Sequence, residues 1–194
     1  MARPREFDPD EVLERATQVF WVRGFEKASL ADLCEATGLN RSSLYAAFGD
    51  KRDLYLAALA RYEDGSAARI AAALEGRPLR EGLQAFLGGL IDSIVAGPGR
   101  RGCFIGNCAA EMARLDRRAA ARVRKSLERV ESSFRAGLET ARERGELPGT
   151  ADPAALARFL TAGIQGLRLV GKANPDRAAL EQVAAIMLNC IYRR

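Results

Sequence analysis

The chain contains no histidine, which removes the side chain most used for acid–base catalysis near neutral pH and the commonest zinc ligand. Its four cysteines, Cys34, Cys103, Cys108 and Cys190, form no C-x-x-C pair. Neither a zinc ribbon nor a disulfide framework is therefore expected, and a reducing cytoplasm is the consistent home. No apolar run approaches the roughly 18 residues that a membrane span requires. Met1 to Glu11 alternates charge and proline without the apolar centre of an export signal. The two-residue alternation that builds β-strands is missing as well. No metal, no cofactor and no membrane partner is expected, and an enzyme would lack both a nucleophile with its base and a strand framework.

What is present is apolar and helically periodic. Hydrophobic residues make up 48% of the 194, enough for a sizeable core in one domain or in a small one joined to a larger. The formal charge is +5, yet it does not sit where a simple nucleic-acid argument would want it. Residues 1–55 carry eight Lys/Arg against ten Asp/Glu, so the excess belongs to the remainder. Binding to a polyanion would have to rest on placement: Arg3, Arg5, Lys27, Arg41, Lys51 and Arg52 gather about one short stretch. Few phosphate contacts per subunit imply a dimer and a clear salt dependence.

That stretch runs from Lys27 to Asp53. Ser29 and Asp32 suit a helix start and Gly38 its left-handed end, while Asn40 caps a second segment. In the octet Arg41 to Phe48, Leu44 and Phe48 are read as the docking side and Arg41, Ser42 and Tyr45 as the outward one. Two short helices crossing at a tight glycine turn follow from this, one with an outward face of small polar groups, a guanidinium and a phenol. A DNA major groove admits such a helix, and arginine pairs bidentately with guanine. A helical hairpin that meets protein is the other reading of the same pattern.

The run G-F-x-x-A-S-L-x-D-L-x-x-A-x-G-L-N-x-x-S-L-Y-x-x-F-x-x-K-x-x-L, Gly24 to Leu54, resembles the signature of TetR/AcrR-type transcriptional repressors. The resemblance implies an all-α protein of about nine helices. Residues 1–53 would form a three-helix, helix-turn-helix DNA-binding domain, and residues 54–194 a larger effector-binding and dimerisation domain. It implies base-side roles for Arg41, Ser42 and Ser43, phosphate grips by Tyr45 and Lys51, and backbone contacts from Lys27 and Ser29. The expected partners are a double-stranded palindromic DNA operator, a second copy of the chain and a small-molecule effector that releases it.

The chain in order supports the helical reading. Asp8-Pro9-Asp10-Glu11 starts a first helix that ends at Gly24, with Trp21 off its apolar stripe as cover for the small core's edge. A fourth helix begins at Gly49 or Asp50 and runs toward Leu74, and a fifth spans Leu79 to Val95. Gly97-x-Gly99-x-x-Gly102 matches a dinucleotide fingerprint by letter, but a helical segment precedes it and no sheet surrounds it, so it reads as an interhelical loop. The next helix start holds Cys103, Phe104, Asn107 and Glu111. Asn107 and Glu111 share a face and either line an effector pocket, with Phe134, Leu138 and Phe159 as its apolar walls, or satisfy internal hydrogen bonds.

Cys103, at a helix start beside Arg100 and Arg101, should be the more reactive thiol, with inert burial as the alternative. The Gly-Cys-apolar run also resembles a branch of the family that detects electrophiles through a cysteine near this place. Asp116 starts a long arginine-rich helix to about Gly145; Asp152-Pro153 and Asn174-Pro175-Asp176 open the last two. That pair carries surplus apolar surface, so Leu156, Leu160, Gly163, Leu167, Val183 and Met187 are expected in a two-fold four-helix dimer interface.

Overall fold

The structure, a computed structural model, describes residues 7–192; the basic arm of Arg3 and Arg5 lies outside them. Nine α-helices and one 3-10 turn account for the described chain, with no strand among them. They are α1 (Pro9–Lys27), α2 (Leu30–Thr37), α3 (Arg41–Phe48), α4 (Lys51–Leu74), α5 (Leu79–Val95), α6 (Phe104–Glu111), α7 (Arg117–Glu143), α8 (Pro153–Ala173) and α9 (Arg177–Ile191). The 3-10 turn, Pro98–Arg101, occupies the glycine loop before α6.

Local chemistry sets most boundaries. The side chains of Asp8, Ser29, Asn40, Asp50, Asp116, Asp152 and Asp176 each accept a backbone N–H in the first turn of the helix that follows. Ser29/Asp32 and Asp50/Asp53 do so reciprocally, as capping boxes. Gly38 ends α2 at φ 72°, a conformation that side chains with a Cβ resist. Helix α1 is broken inside: Gly24 stands at φ 75° and ψ 177°, so Phe25 to Lys27 form a separate last turn.

Helices α1 to α3 close over Ala16, Phe20, Leu33 and Leu44, all essentially inaccessible, and α4 completes that small core with Leu54, Tyr55 and Ala58. The same helix continues into the larger layer, where Leu59, Tyr62 and Ile70 join Leu83, Leu87, Phe104, Phe134 and Leu160. Helix α4 thus contributes to both cores. Glu63 on α4 is wholly buried and is held by Arg122 at 2.5 Å and Ser126 at 2.9 Å from α7. A carboxylate there is tolerable only because it is paired and hydrogen-bonded. No helix among the described residues is long and apolar enough to cross a membrane.

Candidate nucleic-acid interface and effector groove

Helix α3 has eight residues, too few to be stable alone, and Leu44 beneath it is wholly buried while Phe48 is half-buried. Arg41, in the first turn, is exposed, Ser42 is exposed on the other side, and Ser43 and Tyr45 are half-buried at its flanks. Asn40 accepts from the Ser43 amide at 2.9 Å and from the Ser42 hydroxyl at 2.7 Å, which fixes the first turn. The Arg41 guanidinium lies 5.5 Å over the Tyr45 ring, so two of the groups expected at DNA are already ordered together. At 100° per residue the centre of the exposed arc belongs to Ala46, which is exposed. Its role was not evident beforehand; a methyl there lets the backbone approach base edges and can meet a thymine methyl.

The flanking candidates sit on neighbouring starts and ends of helices. Lys27, in the turn after Gly24, and Ser29 are exposed. The Ser29 hydroxyl accepts from the Asp32 amide at 3.1 Å, which leaves its hydrogen for an outside acceptor. Lys51 opens α4 with its ammonium 4.6 Å over the Phe25 ring. The Asp32 carboxyl is held below its usual range by hydrogen bonds from Ser29, then by Arg23 at 3.3 Å, so its negative charge is locally absorbed.

Three joints tie this surface to the larger body. At the first, both oxygens of Glu111 accept backbone N–H groups, from Phe25 and Glu26 at 3.0 Å each, directly after the Gly24 break. Glu111 is therefore the anionic cap of the last turn of α1, supplied from α6. The close fit requires glycine at position 24, where an added Cβ would stand 2.8 Å from Glu111 Oε2. At the second joint, Arg52 pairs with Asp116 at 2.8 Å and Asp53 with Arg118, binding the start of α4 to the start of α7. The Arg118 hydrogen bond holds the Asp53 carboxyl below its ordinary value, and main-chain N–H bonds from Ala119 and Arg118 do the same for Asp116. At the third, the Trp21 indole donates to the Gly102 carbonyl at 3.1 Å and packs edge-on against Tyr62, with the Arg101 guanidinium 4.9 Å over its ring. Trp21 is thus a strut between α1 and the entry to α6, more than cover for the small core.

Between α1, α4 and α5 lies a groove of about 1150 Å³, with Leu13, Trp21, Tyr62, Phe86, Leu90 and Arg168 among its walls. Cys103 and Phe134 line a smaller cavity of about 20 Å³ that shares Arg69, Phe86 and Arg168 with it. The other pocket candidates fall elsewhere. Phe104 is buried edge-to-face between Tyr55 and Tyr62, and Leu138 is wholly buried in the core. Asn107 donates to the Arg101 carbonyl at 2.9 Å and accepts from Lys172 at 3.3 Å; like Glu111, it takes the internal hydrogen bonds. Phe159 stands on the outer face of α8 at 38% exposure.

Cys103 is buried at the start of α6, with the Tyr62 hydroxyl 3.9 Å from its sulfur. The cation nearby is not the expected pair. Arg100 is exposed and Arg101 turns to Trp21 and Gln18, whereas Arg168 of α8 reaches the Tyr62 hydroxyl at 2.6 Å and shares the cavity with the thiol. Burial pushes the neighbouring thiol, Cys108, up to about 11. Nothing in the local sequence pairs Tyr62 with Arg168, 106 positions away; only tertiary contact joins them.

The outer surface of α8 and α9 also departs from expectation. Leu160, Leu167 and Met187 point into the subunit, and Gly163 is small because the end of Met187 packs against it. Leu156 and Gly163 are half-buried. Val183 is exposed, together with Phe159, Leu169, Val170 and Ile186.

The family described as "Bacterial regulatory proteins, tetR family" matches residues 12–58, and "Tetracyclin repressor-like, C-terminal domain" matches residues 80–187. An uncharacterized HTH-type transcriptional regulator of Bacillus subtilis strain 168, YezE, is 32% identical, covering 98% of this chain and 100% of that protein. The HTH-type transcriptional repressor ComR of Escherichia coli K12 is 32% identical, covering 96% of this chain and 90% of that protein. Among solved structures, a cysteine mutant of the TetR family transcriptional regulator CifR, complexed with 26-bp double-strand operator DNA, aligns with a TM-score of 0.85 at 32% identity. That alignment covers 98% of this chain and 100% of the other.

Proposed function

The chain belongs to the TetR family of transcriptional regulators, and from that premise we propose that it is a repressor whose operator binding a small molecule relieves. The observation that carries this reading is α3: an eight-residue helix clamped from beneath by Leu44, with Arg41, Ser42 and Ala46 exposed on its free flank. Set into a major groove, that flank offers Arg41, Ser42 and Ser43 to base edges, while Tyr45, Lys51, Lys27 and Ser29 hold the phosphates on either side. Residues 1–53 act as the DNA-binding domain and 54–194 as the regulatory one.

Two subunits associate through α8 and α9, covering the exposed apolar residues Phe159, Leu169, Val170, Val183 and Ile186. The pair presents two recognition helices to an inverted repeat whose half-sites lie about one helical turn, roughly 34 Å, or more apart. Such a protein works beside the chromosome, in the cytoplasm.

Release runs through α6. An α,β-unsaturated carbonyl effector adds to Cys103, the sulfur bonding to its β-carbon as the carbon–carbon π bond opens and the thiol proton passing to the α-carbon, or an effector simply fills the adjoining groove. Either event displaces a helix whose two ends hold Trp21 and the Phe25–Glu26 turn. Repressor and released forms need differ in effector affinity by only about 1–3 kcal/mol for useful control.

Gel retardation of the protein on its own upstream region, at rising salt, tests the reading. A specific shift that weakens linearly in log salt supports it; no retardation of any fragment, or a shift indifferent to salt, overturns it.

A further inference from the structure

The groove between α1, α4 and α5 is lined by four arginines, Arg61, Arg69, Arg77 and Arg168, against three acids. Its acids are matched already: Asp10 and Glu14 by Arg61, and Asp64 by Arg129. Arg69, Arg77 and Arg168 line the same groove and have no carboxylate partner among the described residues. Arg69 has the Ser66 hydroxyl at 3.0 Å; Arg168 has the Tyr62 phenol at 2.6 Å and the Cys103 thiol beside it, and no carboxylate.

Arg168 is the telling member. Its Nε is sealed from solvent and has no hydrogen-bond partner. A guanidinium whose Nε is withdrawn from water and which has no carboxylate beside it is costly, and such a group is expected to be paired. Tyr62 does not supply the charge, because burial raises its phenol above the ordinary value and keeps it neutral. The walls beside this cation, Trp21, Phe86, Leu90 and Ile94, are aromatic or aliphatic. They would accept an apolar body and would leave a doubly charged one unsolvated.

We propose that the groove takes an aromatic monocarboxylate, whose carboxylate docks on Arg168 beside the Tyr62 hydroxyl while its ring lies among Trp21, Phe86 and Leu90. A guanidinium and a carboxylate match in charge and plane, which is the arrangement Arg168 lacks. The site spans α1, α4, α5 and α8, so its occupant bears directly on Trp21 and on the placement of the DNA-binding helices. The proposal deepens the ligand-responsive reading by naming the ligand class, and it needs no reaction at Cys103.

The test titrates purified full-length protein with benzoate and phenylacetate, and with the uncharged benzamide and phenylacetamide, following melting temperature and calorimetric heat. None of the four is an alkylating agent, so modification of Cys103 is kept out of the readout. The acids should bind saturably and at least about tenfold more tightly than their amides, a difference of about 1.4 kcal/mol. Arg168→Gln should erase that preference, and Arg168→Lys should restore part of it. Because its guanidinium lacks a counter-ion, Arg168→Gln should leave the unliganded melting temperature unchanged or raised; a purely structural arginine would lower it. Tyr62→Phe should weaken the acids more than the amides. Equal binding of acid and amide, binding of neither to wild-type protein, or an acid preference that survives in Arg168→Gln overturns the proposal. Failure of the repressor reading is separate: the ligand-free protein would then not retard operator DNA, whatever the acids do.

Discussion

Replacing Glu111 with alanine removes both acceptors of the Phe25 and Glu26 amides, and the structure allows its consequences to be graded. The Phe25 amide is partly buried, and losing its 3.0 Å bond to a carboxylate costs about 1.5–3 kcal/mol. The Glu26 amide is exposed, water can replace its partner, and about 0.5–1 kcal/mol is lost there. The sum, about 2–4 kcal/mol, corresponds to a drop of roughly 4–16 °C in melting temperature for a chain of this size. Operator affinity should fall with it, because the last turn of α1 and Lys27 lose their anchor to α6. Glu111→Gln keeps one carbonyl acceptor and should fall between wild type and alanine in both assays. Circular dichroism melts and gel retardation on the same preparations give the two numbers. An alanine variant that melts within 2 °C of wild type and binds operator equally well refutes the idea that α6 holds the DNA-binding body through this carboxylate.

Gly24→Ala should be worse than Glu111→Ala, since it combines a left-handed φ of 75° with a Cβ placed 2.8 Å from Glu111 Oε2; a melt no lower than that of the Glu111 variant contradicts this. Tyr45→Phe and Lys51→Ala should each weaken binding to every DNA sequence alike, with Lys51→Ala reducing the salt slope by about one; a change in base preference would count against phosphate roles. Ile186, at 63% exposure, becomes a charge at the proposed dimer face in Ile186→Asp, which should sediment as a monomer with unaltered helicity; an intact dimer would move the interface elsewhere. Burial pushes Cys108 up to about 11 and raises Tyr55 and Tyr62 as well. Groups raised on folding stabilise below their unfolded values and lose that contribution as pH climbs. The melting temperature should therefore hold to about pH 8.5, the unfolded thiol's value, and decline toward pH 11; a flat profile to pH 11 contradicts it.

What the sequence made legible was local. Each cap is chemistry within three residues of a helix start, so Asp8, Ser29, Asn40, Asp116 and Asp152 announced their helices, and Gly38 its turn, without tertiary information. The glycine run at 97–102 lies between α5 and α6, as the interhelical-loop reading expects, with a helix before it where a phosphate-binding loop would need a strand. Contacts across the fold were not legible. Trp21 and Gly102 are 81 positions apart, and Arg168 and Tyr62 are 106 apart; periodicity assigns a residue to a face but does not name what the face meets. The same limit misdirected Leu160, Leu167 and Met187 outward. Helix α8 is apolar over much of its circumference, and its packing against α7 and α9 decides that Leu160 and Leu167 turn inward while Leu169 and Val170 remain outside; Met187, on α9, turns inward against Gly163 of α8.

On the proposed reading, the free flank of α3 reads bases. Selection of binding sites from a randomised double-stranded pool, by wild-type protein and by Arg41→Ala, tests it most directly. The account predicts an inverted repeat for both proteins, with preference relaxed at one base pair in each half-site for the variant, a loss of about 1–3 kcal/mol of discrimination there. An unchanged preference at every position, or a uniform loss of affinity with the preferences intact, would contradict it.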